Sequence, residues 1–278
     1  MPELKHLSSR QVTTALLLAA GTGSRLHPLT NSAPKCLTEL NGKTLIERLV
    51  HALQSNGIQR LVVVVGYLES QIIHYLDQME HDLEIEYITN SKFQTTNNIY
   101  SLWLAREKIN EPFLLVECDL VFDPELLLPL MTPDRIAVSH RLPWMNGSMA
   151  SVGPTSRVTG IHGSEPYPSG EVIFKTVNIY SFSLPTWRRI TARLERHIDA
   201  GQLSGYYETV LTELIAESGV SLEAVFFNED QWYEVDTLPD LHAAEKMFPR
   251  QRVHPAQVNA LARASSRHIS TTDNAFVS

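Results

Sequence analysis

Three short apolar runs, at residues 12–20, 61–65 and 113–117, constrain the fold of this chain more than any other feature. Continuous runs of leucine and β-branched residues of this length are typical of strands covered on both faces, which occur mainly in parallel sheets. Segments with helical periodicity separate the runs, and one of these segments opens with a capping box at residues 44–47. The alternation predicts a doubly wound, mostly parallel sheet of the α/β class.

The pattern changes after residue 134, where strand-like segments dominate. They lie at residues 135–140, 149–153, 157–161 and 172–182. Because ligands of open α/β sheets bind at the carboxyl ends of the strands, we expect this part to form a small β-rich insertion over that crevice. The predicted organisation is an N-terminal extension at residues 1–12, one domain at residues 13–248, and a C-terminal tail or linker at residues 249–278.

Charge and cysteine content argue against several classes of protein. The 278-residue chain carries a formal net charge of −8 and two cysteines, which form no CxxC pair. An acidic chain offers no basic face for a nucleic acid, isolated cysteines suit a reducing cytosol, and no window approaches the roughly 20 apolar residues of a membrane span. We therefore expect a cytoplasmic protein that binds neither nucleic acid nor membranes. The sequence does not indicate its oligomeric state.

The first apolar run continues into a glycine loop, LLLAAGTGSRLHPLTNSAPKCL at residues 16–37. Gly21 and Gly23 permit close backbone approach to an anion, but Leu26 occupies the place of the third glycine of a dinucleotide-binding loop. The GK[ST] sequence of a P-loop is also missing. Backbone N–H groups together with Arg25 and Lys35 suit a triphosphate. The alternative is an ordinary strand-to-helix turn with solvated charges.

This stretch closely resembles the N-terminal signature of the sugar-1-phosphate nucleotidyltransferase superfamily, G-x-G-x-R-L followed by P-K. The resemblance extends over residues 13–248. It implies a Rossmann-like nucleotidyltransferase fold in which Arg25 and Lys35 hold the phosphates of a nucleoside triphosphate. The residues that we expect to bind the nucleotide are Ala19, Ala20, Gly21, Thr22, Gly23, Gly66, Tyr67, Asn97 and Asn98.

Two aspartates follow predicted strands: Asp119 comes just after the run at residues 113–117, and Asp236 lies within WYEVDT. Two carboxylates together with substrate phosphates are sufficient for Mg²⁺, and the resemblance implies that both aspartates bind this metal ion. Without the resemblance, a turn residue at the end of a strand and a helix cap explain Asp119 and Asp236 equally well.

Lys175 lies in the middle of the apolar strand VIFKTVNIYSF, where a lysine is rare unless one face opens to a ligand. The resemblance implies that it meets the acceptor phosphate, and the alternative is an exposed lysine on an edge strand. Arg25, Lys35 and Lys175 are thus the expected catalytic residues. An acceptor with an anionic oxygen needs no general base, so we expect direct in-line attack on the α-phosphorus while cations and Mg²⁺ stabilise the leaving pyrophosphate.

The segment TTNNIYSLWLAREKI, at residues 95–109, resembles the choline-phosphate and 2-aminoethylphosphonate cytidylyltransferase branch. This resemblance implies transfer of CMP from CTP to phosphocholine or 2-aminoethylphosphonate. An aromatic and acidic set could hold a cationic head group, although ordinary packing explains at least half of it. The set is Trp144, Tyr206, Tyr207, Glu208 and Tyr233.

Three alternatives to an amine-bearing acceptor stay open. The acceptor of this branch can also be a phosphonate whose other end is uncharged, such as hydroxyethylphosphonate. A hexose-1-phosphate uridylyltransferase or thymidylyltransferase would have the same glycine loop, with the aromatic set serving only for packing. A regulatory subunit would bind the nucleotide without catalysis, but such a chain usually lacks a cation or a metal carboxylate, and here all of them are present.

Overall fold

The computed structural model of the protein describes residues 11–143, 145–163, 167 and 170–249. The described residues up to Met247 form one compact unit. The predicted extension at 1–12 and tail at 249–278 therefore lie almost entirely outside the described residues. No helix in the described part of the chain is long and apolar enough to cross a membrane.

Strands and helices alternate along the described chain. The strands are β1 (Thr14–Ala19), β2 (Glu39–Leu40), β3 (Lys43–Thr44), β4 (Arg60–Val65), β5 (Glu84–Thr89), β6 (Phe113–Glu117), β7 (Leu120–Phe122), β8 (Arg135–His140), β9 (Met149–Val152), β10 (Val158–His162), β11 (Ile173–Phe182), β12 (Glu223–Phe227) and β13 (Trp232–Glu234). The α-helices are α1 (Leu45–Ser55), α2 (Glu69–Gln78), α3 (Asn98–Leu104), α4 (Leu184–Asp199), α5 (Tyr207–Ala216) and α6 (Leu238–Met247). The capping box predicted at residues 44–47 is confirmed, because the Thr44 hydroxyl accepts a hydrogen bond from the Glu47 amide at 3.1 Å.

Nine strands form one mixed sheet, and four of them make its parallel half. In this half β1 lies between β4 and β6, and β5 flanks β4. Ala19 pairs with Val65 and Leu18 pairs with Glu117, so the carboxyl ends of β1, β4 and β6 meet at the same edge. The glycine loop and Asp119 follow two of these ends, as expected for a ligand-binding crevice in an α/β sheet.

The antiparallel half of the sheet contains the segments that were predicted to form an insertion. Strand β11 pairs with β6 through its second half and with β9 through its first half, and β8 and β12 continue the sheet beyond β11. The doubly wound, Rossmann-like α/β class is confirmed. The β-rich part is continuous with the main sheet because the ten-residue β11 extends past the carboxyl end of β6.

Helices cover both faces of the sheet, and β1 shows why its sequence is apolar throughout. Leu16 and Leu18 pack with residues of α3, α4 and α5, whereas Leu17 and Ala19 pack with residues of α1 and α2 and with a 3₁₀ segment at Pro124–Met131. A strand buried on both faces needs apolar side chains at odd and even positions alike.

A short antiparallel pair of strands, β7 and β13, brings two segments that are distant in sequence to the crevice. The strands are antiparallel, Glu234 pairs with Leu120, and the Val235 amide donates to the Asp119 carbonyl at 2.9 Å. This pairing places Asp236 beside Asp119. The sequence predicted β13 but not β7, whose three residues carry too little pattern.

Candidate active site

The glycine loop is held by packing on one side and faces the crevice on the other. Gly23 has φ of +61°, and a Cβ atom there would lie 2.9 Å from the Lys35 Cβ, so a side chain is excluded both by conformation and by space. Leu26 is fully buried and anchors the loop, and the Thr30 hydroxyl donates to the Gly23 carbonyl at 2.8 Å. The leucine that replaces the third glycine is therefore part of the interior.

Lys35 lies between the two aspartates that were expected to bind metal. Its Nζ is 2.7 Å from Asp119 Oδ2 and 2.6 Å from Asp236 Oδ1, and its side chain is 10% exposed. Burial lowers the pKa of Lys35, but the charges of Asp119 and Asp236 outweigh this effect and raise the pKa above its ordinary value. Arg25, whose side chain is 63% exposed, contacts Asp236 Oδ1 at 2.8 Å.

Four carboxylates meet here because the chain contributes Glu-x-Asp twice. Glu117 precedes Asp119 by two positions at the end of β6, and Glu234 precedes Asp236 by two positions at the end of β13. Oxygens of Glu117, Asp119 and Glu234 lie within 4.8 Å of one another. Asp119 Oδ1 is buried and has no hydrogen-bond partner among the described residues. An all-oxygen set with a free buried oxygen suits Mg²⁺.

The Asp236 side chain does not cap the helix that follows it, whereas Asp119 does lie in the turn between β6 and β7. At the start of α6 it is the Asp240 carboxylate that accepts hydrogen bonds from the Thr237 amide, at 2.8 Å, and from the Thr237 hydroxyl, at 2.7 Å. The side chains of Asp119 and Asp236 instead turn to the buried Lys35. Both carboxylates therefore face the crevice.

Glu117 is oriented by neutral donors. The Tyr207 hydroxyl donates to Glu117 Oε1 at 3.0 Å, the Asn98 amide approaches the same oxygen at 3.4 Å, and Asn98 Oδ1 accepts from the Tyr207 backbone amide at 3.0 Å. Burial, and after it the charges of Asp119 and Glu208, raise the pKa of Glu117. Tyr207, expected to touch the acceptor, is fully buried and contacts Glu117 instead.

Lys175 is a buried residue in the interior of the sheet. It is 1% exposed, so the alternative of an exposed lysine on an edge strand is wrong. Its ammonium donates to the Thr176 carbonyl at 2.8 Å and lies 3.3 Å from Glu234 Oε2. Asn178, at φ of +61°, donates to Glu234 Oε1 at 3.3 Å. Burial raises the pKa of Glu234, and the charge of Lys175 opposes that shift.

The first cavity, of about 300 Å³, lies over the glycine loop. Of the residues expected to bind the nucleotide, it is lined by Ala20, Gly21, Thr22, Gly23, Asn97 and Asn98. Ala19 is buried within β1, and a Cβ on Gly66 would lie 2.9 Å from the Ala20 carbonyl. The Tyr67 hydroxyl donates to the Thr30 and Asn31 carbonyls. The structure therefore places Ala19, Gly66 and Tyr67 behind the loop as support.

A second cavity, of about 850 Å³, adjoins the first and shares Arg25, Asn98, Glu117, Asp119, Tyr206 and Asp236 with it. Tyr206, which is 59% exposed, and Glu208, which is 8% exposed, also line it. Glu208 Oε2 is buried and has no hydrogen-bond partner in the described part of the chain. Tyr233 lies apart, at a smaller cavity of about 40 Å³ that it shares with Lys175. Trp144 lies outside the described residues.

Comparison with known proteins agrees with this geometry. Residues 15–141 match the MobA-like NTP transferase domain. A CMP-5'-(3-aminopropyl)phosphonate synthase from Streptomyces rubellomurinus is 29% identical over 253 residues, which cover 86% of this chain but 39% of that relative. A 2-aminoethylphosphonate cytidylyltransferase from Lancefieldella rimae is 29% identical over 244 residues, covering 85% of this chain and 93% of the relative. These comparisons identify a nucleotidyltransferase domain over residues 15–141 of the chain.

The fold of the chain is also found in a solved protein structure. A choline-phosphate cytidylyltransferase from Streptococcus pneumoniae is 25% identical over 238 residues, covering 85% of this chain and 99% of the relative. The solved structure of CTP:phosphocholine cytidylyltransferase from that organism superposes with a TM-score of 0.74 at 22% identity, covering 85% of this chain and 99% of that one. At this identity the superposition establishes the fold alone.

The candidate site contains residues that the sequence analysis did not predict. Glu117 and Glu234 each lie two positions before a predicted metal ligand, so the repeated Glu-x-Asp spacing was a usable signal. Asn178 and the supporting role of Tyr207 had no such signal, because they depend on contacts between segments distant in sequence.

Proposed function

We propose that this nucleotidyltransferase is a Mg²⁺-dependent cytidylyltransferase. It would transfer CMP from CTP to a small phosphate or phosphonate that bears an ammonium group, phosphocholine or 2-aminoethylphosphonate, and release pyrophosphate. The observation that carries this proposal is a pair of carboxylates at the second cavity, Glu117 and Glu208, which have no ion-pair partner among the described residues. Carboxylates in such a place favour a cationic ligand.

The nucleotide side of the proposal rests on the glycine loop. Its backbone approaches the first cavity without side chains at Gly21 and Gly23, and Arg25 and Lys35 supply positive charge at the rim. These groups suit the phosphates of a nucleoside triphosphate. The choice of CTP is supported by the cytidylyltransferases named among the relatives.

Asp119 and Asp236 would hold Mg²⁺, with the free Asp119 Oδ1 as one ligand. The ion would neutralise charge on the triphosphate and on the leaving pyrophosphate. Glu117 and Glu234 lie close enough to contribute to the same charge environment.

On the acceptor side, Glu208 and Glu117 would pair with the ammonium group while Tyr206 covers it from the open side. Lys175 would meet the anionic oxygen of the acceptor, which requires its ammonium to leave Glu234. That oxygen is already charged, so the protein needs to position it in line with the α-phosphorus and to exclude competing water. No side chain has to remove a proton.

We further propose that the unit at residues 13–248 is sufficient for this reaction and that it acts in the cytoplasm. Two free cysteines are consistent with a reducing compartment.

The proposal is tested by measuring pyrophosphate release in the presence of Mg²⁺ for each of the four nucleoside triphosphates combined with each of four acceptors. The acceptors are phosphocholine, 2-aminoethylphosphonate, hydroxyethylphosphonate and glucose-1-phosphate. We expect release with CTP and an amine-bearing acceptor. Hydroxyethylphosphonate serves as the matched control, because it lacks the ammonium group and keeps the phosphonate. Equal rates for the two phosphonates would refute the cation-binding role of Glu117 and Glu208. Release from glucose-1-phosphate with UTP or dTTP would instead identify a hexose-1-phosphate enzyme.

A further inference from the structure

The ammonium group of Lys35 contacts the same two carboxylates that are proposed to bind the metal ion. Its ammonium contacts one oxygen of Asp119 and one oxygen of Asp236 at hydrogen-bond distance, and both aspartates are the proposed metal ligands. The three side chains are about nine-tenths buried, at 10%, 13% and 9% exposure. A buried ammonium and a divalent cation held by the same two carboxylates repel each other strongly, because the interior screens charge poorly.

The lysine is built so that its charged end can move while its stem stays in place. The stem packs against Gly23, where the two Cβ positions would be 2.9 Å apart, and the backbone around it forms a short 3₁₀ segment, Lys35–Leu37. The far end lines the first cavity together with the glycine loop. A lysine side chain has several staggered rotamers, and Lys35 lines the same cavity as the glycine loop that is proposed to hold the triphosphate.

We propose that Lys35 is an internal counter-ion that couples metal binding to triphosphate binding. In the nucleotide-free protein its ammonium neutralises Asp119 and Asp236 and so opposes metal binding. When the triphosphate arrives, the ammonium pairs with phosphate oxygens and releases the aspartates to the metal. Each ligand then strengthens the other, as reciprocal linkage requires. This inference rests on the proposed triphosphate site, but its metal arm can be measured without any nucleotide.

The test is a titration of nucleotide-free protein with Mn²⁺, a spectroscopic substitute for Mg²⁺, read as the free-ion signal in electron paramagnetic resonance. We expect Lys35→Gln to bind Mn²⁺ about tenfold or more tightly than wild type, within the range of about 5- to 150-fold found for coupled sites. Calorimetry with CTP in EDTA should show the reverse, with weaker nucleotide binding in Lys35→Gln. Opposite signs for the two ligands are the signature of the counter-ion.

Two variants with the same change of charge separate displacement from general electrostatics. Lys43→Gln removes a surface lysine that pairs with Glu47, and Lys175→Gln removes a buried lysine that pairs with Glu234 rather than with the aspartates. We expect Mn²⁺ affinity to be unchanged in the first and raised less in the second than in Lys35→Gln. An equal gain at position 175 would overturn the proposal, since it would show that any local loss of charge suffices.

Wild-type protein provides a test that does not depend on a variant folding. Its affinity for Mn²⁺ is compared with its affinity for the Mn²⁺ complex of the α,β-methylene analogue of CTP, each ligand also being titrated alone. We expect the complex to bind at least about tenfold more tightly than independent binding of the two parts predicts. Additive binding would refute the coupling. Failure of the proposed cytidylyltransferase reaction would leave the nucleotide-free Mn²⁺ result standing, so the two failures are distinguishable.

Discussion

The two sides of the crevice use charge in different ways. On the parallel side of the sheet, the glycine loop presents backbone with few side chains, and Arg25 is 63% exposed. On the antiparallel side, Lys175 is 1% exposed and Glu208 is 8% exposed, and Lys175 is tied to Glu234. Asp119 and Asp236 lie where the two sides meet, since both cavities include them.

This difference follows from what each side would have to bind. A triphosphate carries its own large charge, so the exposed Arg25, the buried Lys35 and open backbone N–H groups would be sufficient to receive it. A small amine-bearing acceptor offers few contacts, and its position has to be set by groups that are themselves fixed. Buried pairs such as Lys175 with Glu234 and Tyr207 with Glu117 provide that rigidity at a cost in desolvation.

The largest expected effect on turnover is at Asp236, which lines both cavities. We expect Asp236→Asn to reduce kcat by about 10⁴-fold, because loss of a carboxylate that is proposed to bind Mg²⁺ would remove several kcal/mol of charge stabilisation in the transition state. The measurement is pyrophosphate release at saturating CTP and acceptor. Asp77→Asn, a matched change on α2 far from the crevice, should keep wild-type kcat. Comparable rates for the two variants would contradict the metal role of Asp236.

The second prediction compares the same loss of charge on the two sides. Lys175→Met leaves Glu234 buried without its cation, so we expect the free energy of unfolding to fall by about 3 kcal/mol. Arg25→Met removes an exposed partner of Asp236 and should cost less than about 1 kcal/mol. Urea unfolding of both variants measures the difference.

A double variant provides the control for this comparison. Glu234→Gln introduced into Lys175→Met removes the unpaired charge, so we expect it to recover much of the lost stability. If the double variant were as unstable as Lys175→Met, the loss would come from packing around the lysine rather than from its charge.

The third prediction concerns Glu117, which both cavities share. Glu117→Gln keeps the shape of the side chain and removes its charge. We expect KM for an amine-bearing acceptor to rise about tenfold or more, because a hydrogen bond to a charged group contributes about 1.5 to 3 kcal/mol. Turnover of hydroxyethylphosphonate, an acceptor without an ammonium group, should not be impaired in the same way. An equal loss with both phosphonates would place Glu117 on the metal side of the crevice instead.

The comparison also explains how much the sequence could predict. The strands of the parallel side and the capping box at α1 were predictable because they rest on local patterns of apolar residues and caps. The glycine loop was recognised for the same reason. Strand β7 was missed because its pairing with β13, more than a hundred residues away, determines it rather than its three residues.

The contacts inside the crevice join segments that are distant in sequence, and single-sequence patterns do not encode such contacts. Lys35 meets Asp119 across 84 positions and Asp236 across 201 positions. Tyr207 was chosen as an aromatic group for the acceptor, yet the fold buries its ring and presents its hydroxyl to Glu117. Residue type and spacing indicated which segments converge but not which atoms face the cavity.

The smallest expected effect is a difference in the slope of stability against pH. Burial raises the pKa of Glu208, so its contribution to stability is complete below the ordinary carboxyl value and is lost as pH rises through the folded pKa. Glu208→Gln cannot ionise, and its melting temperature relative to wild type should therefore increase as pH is raised from 4.5 to 8.

On the parallel side, hydrogen bonds from Lys108 and Arg60 lower the pKa of Glu86, so its contribution to stability is present above the ordinary carboxyl value and is lost on acidification. Glu86→Gln should consequently lose stability relative to wild type as pH rises, the opposite slope. Because the contribution of Glu86 changes mainly below its ordinary pKa, thermal unfolding of the three proteins is followed from pH 3 to 8, which covers both slopes. Parallel curves for the two variants would show that the two sides do not differ in how they hold charge.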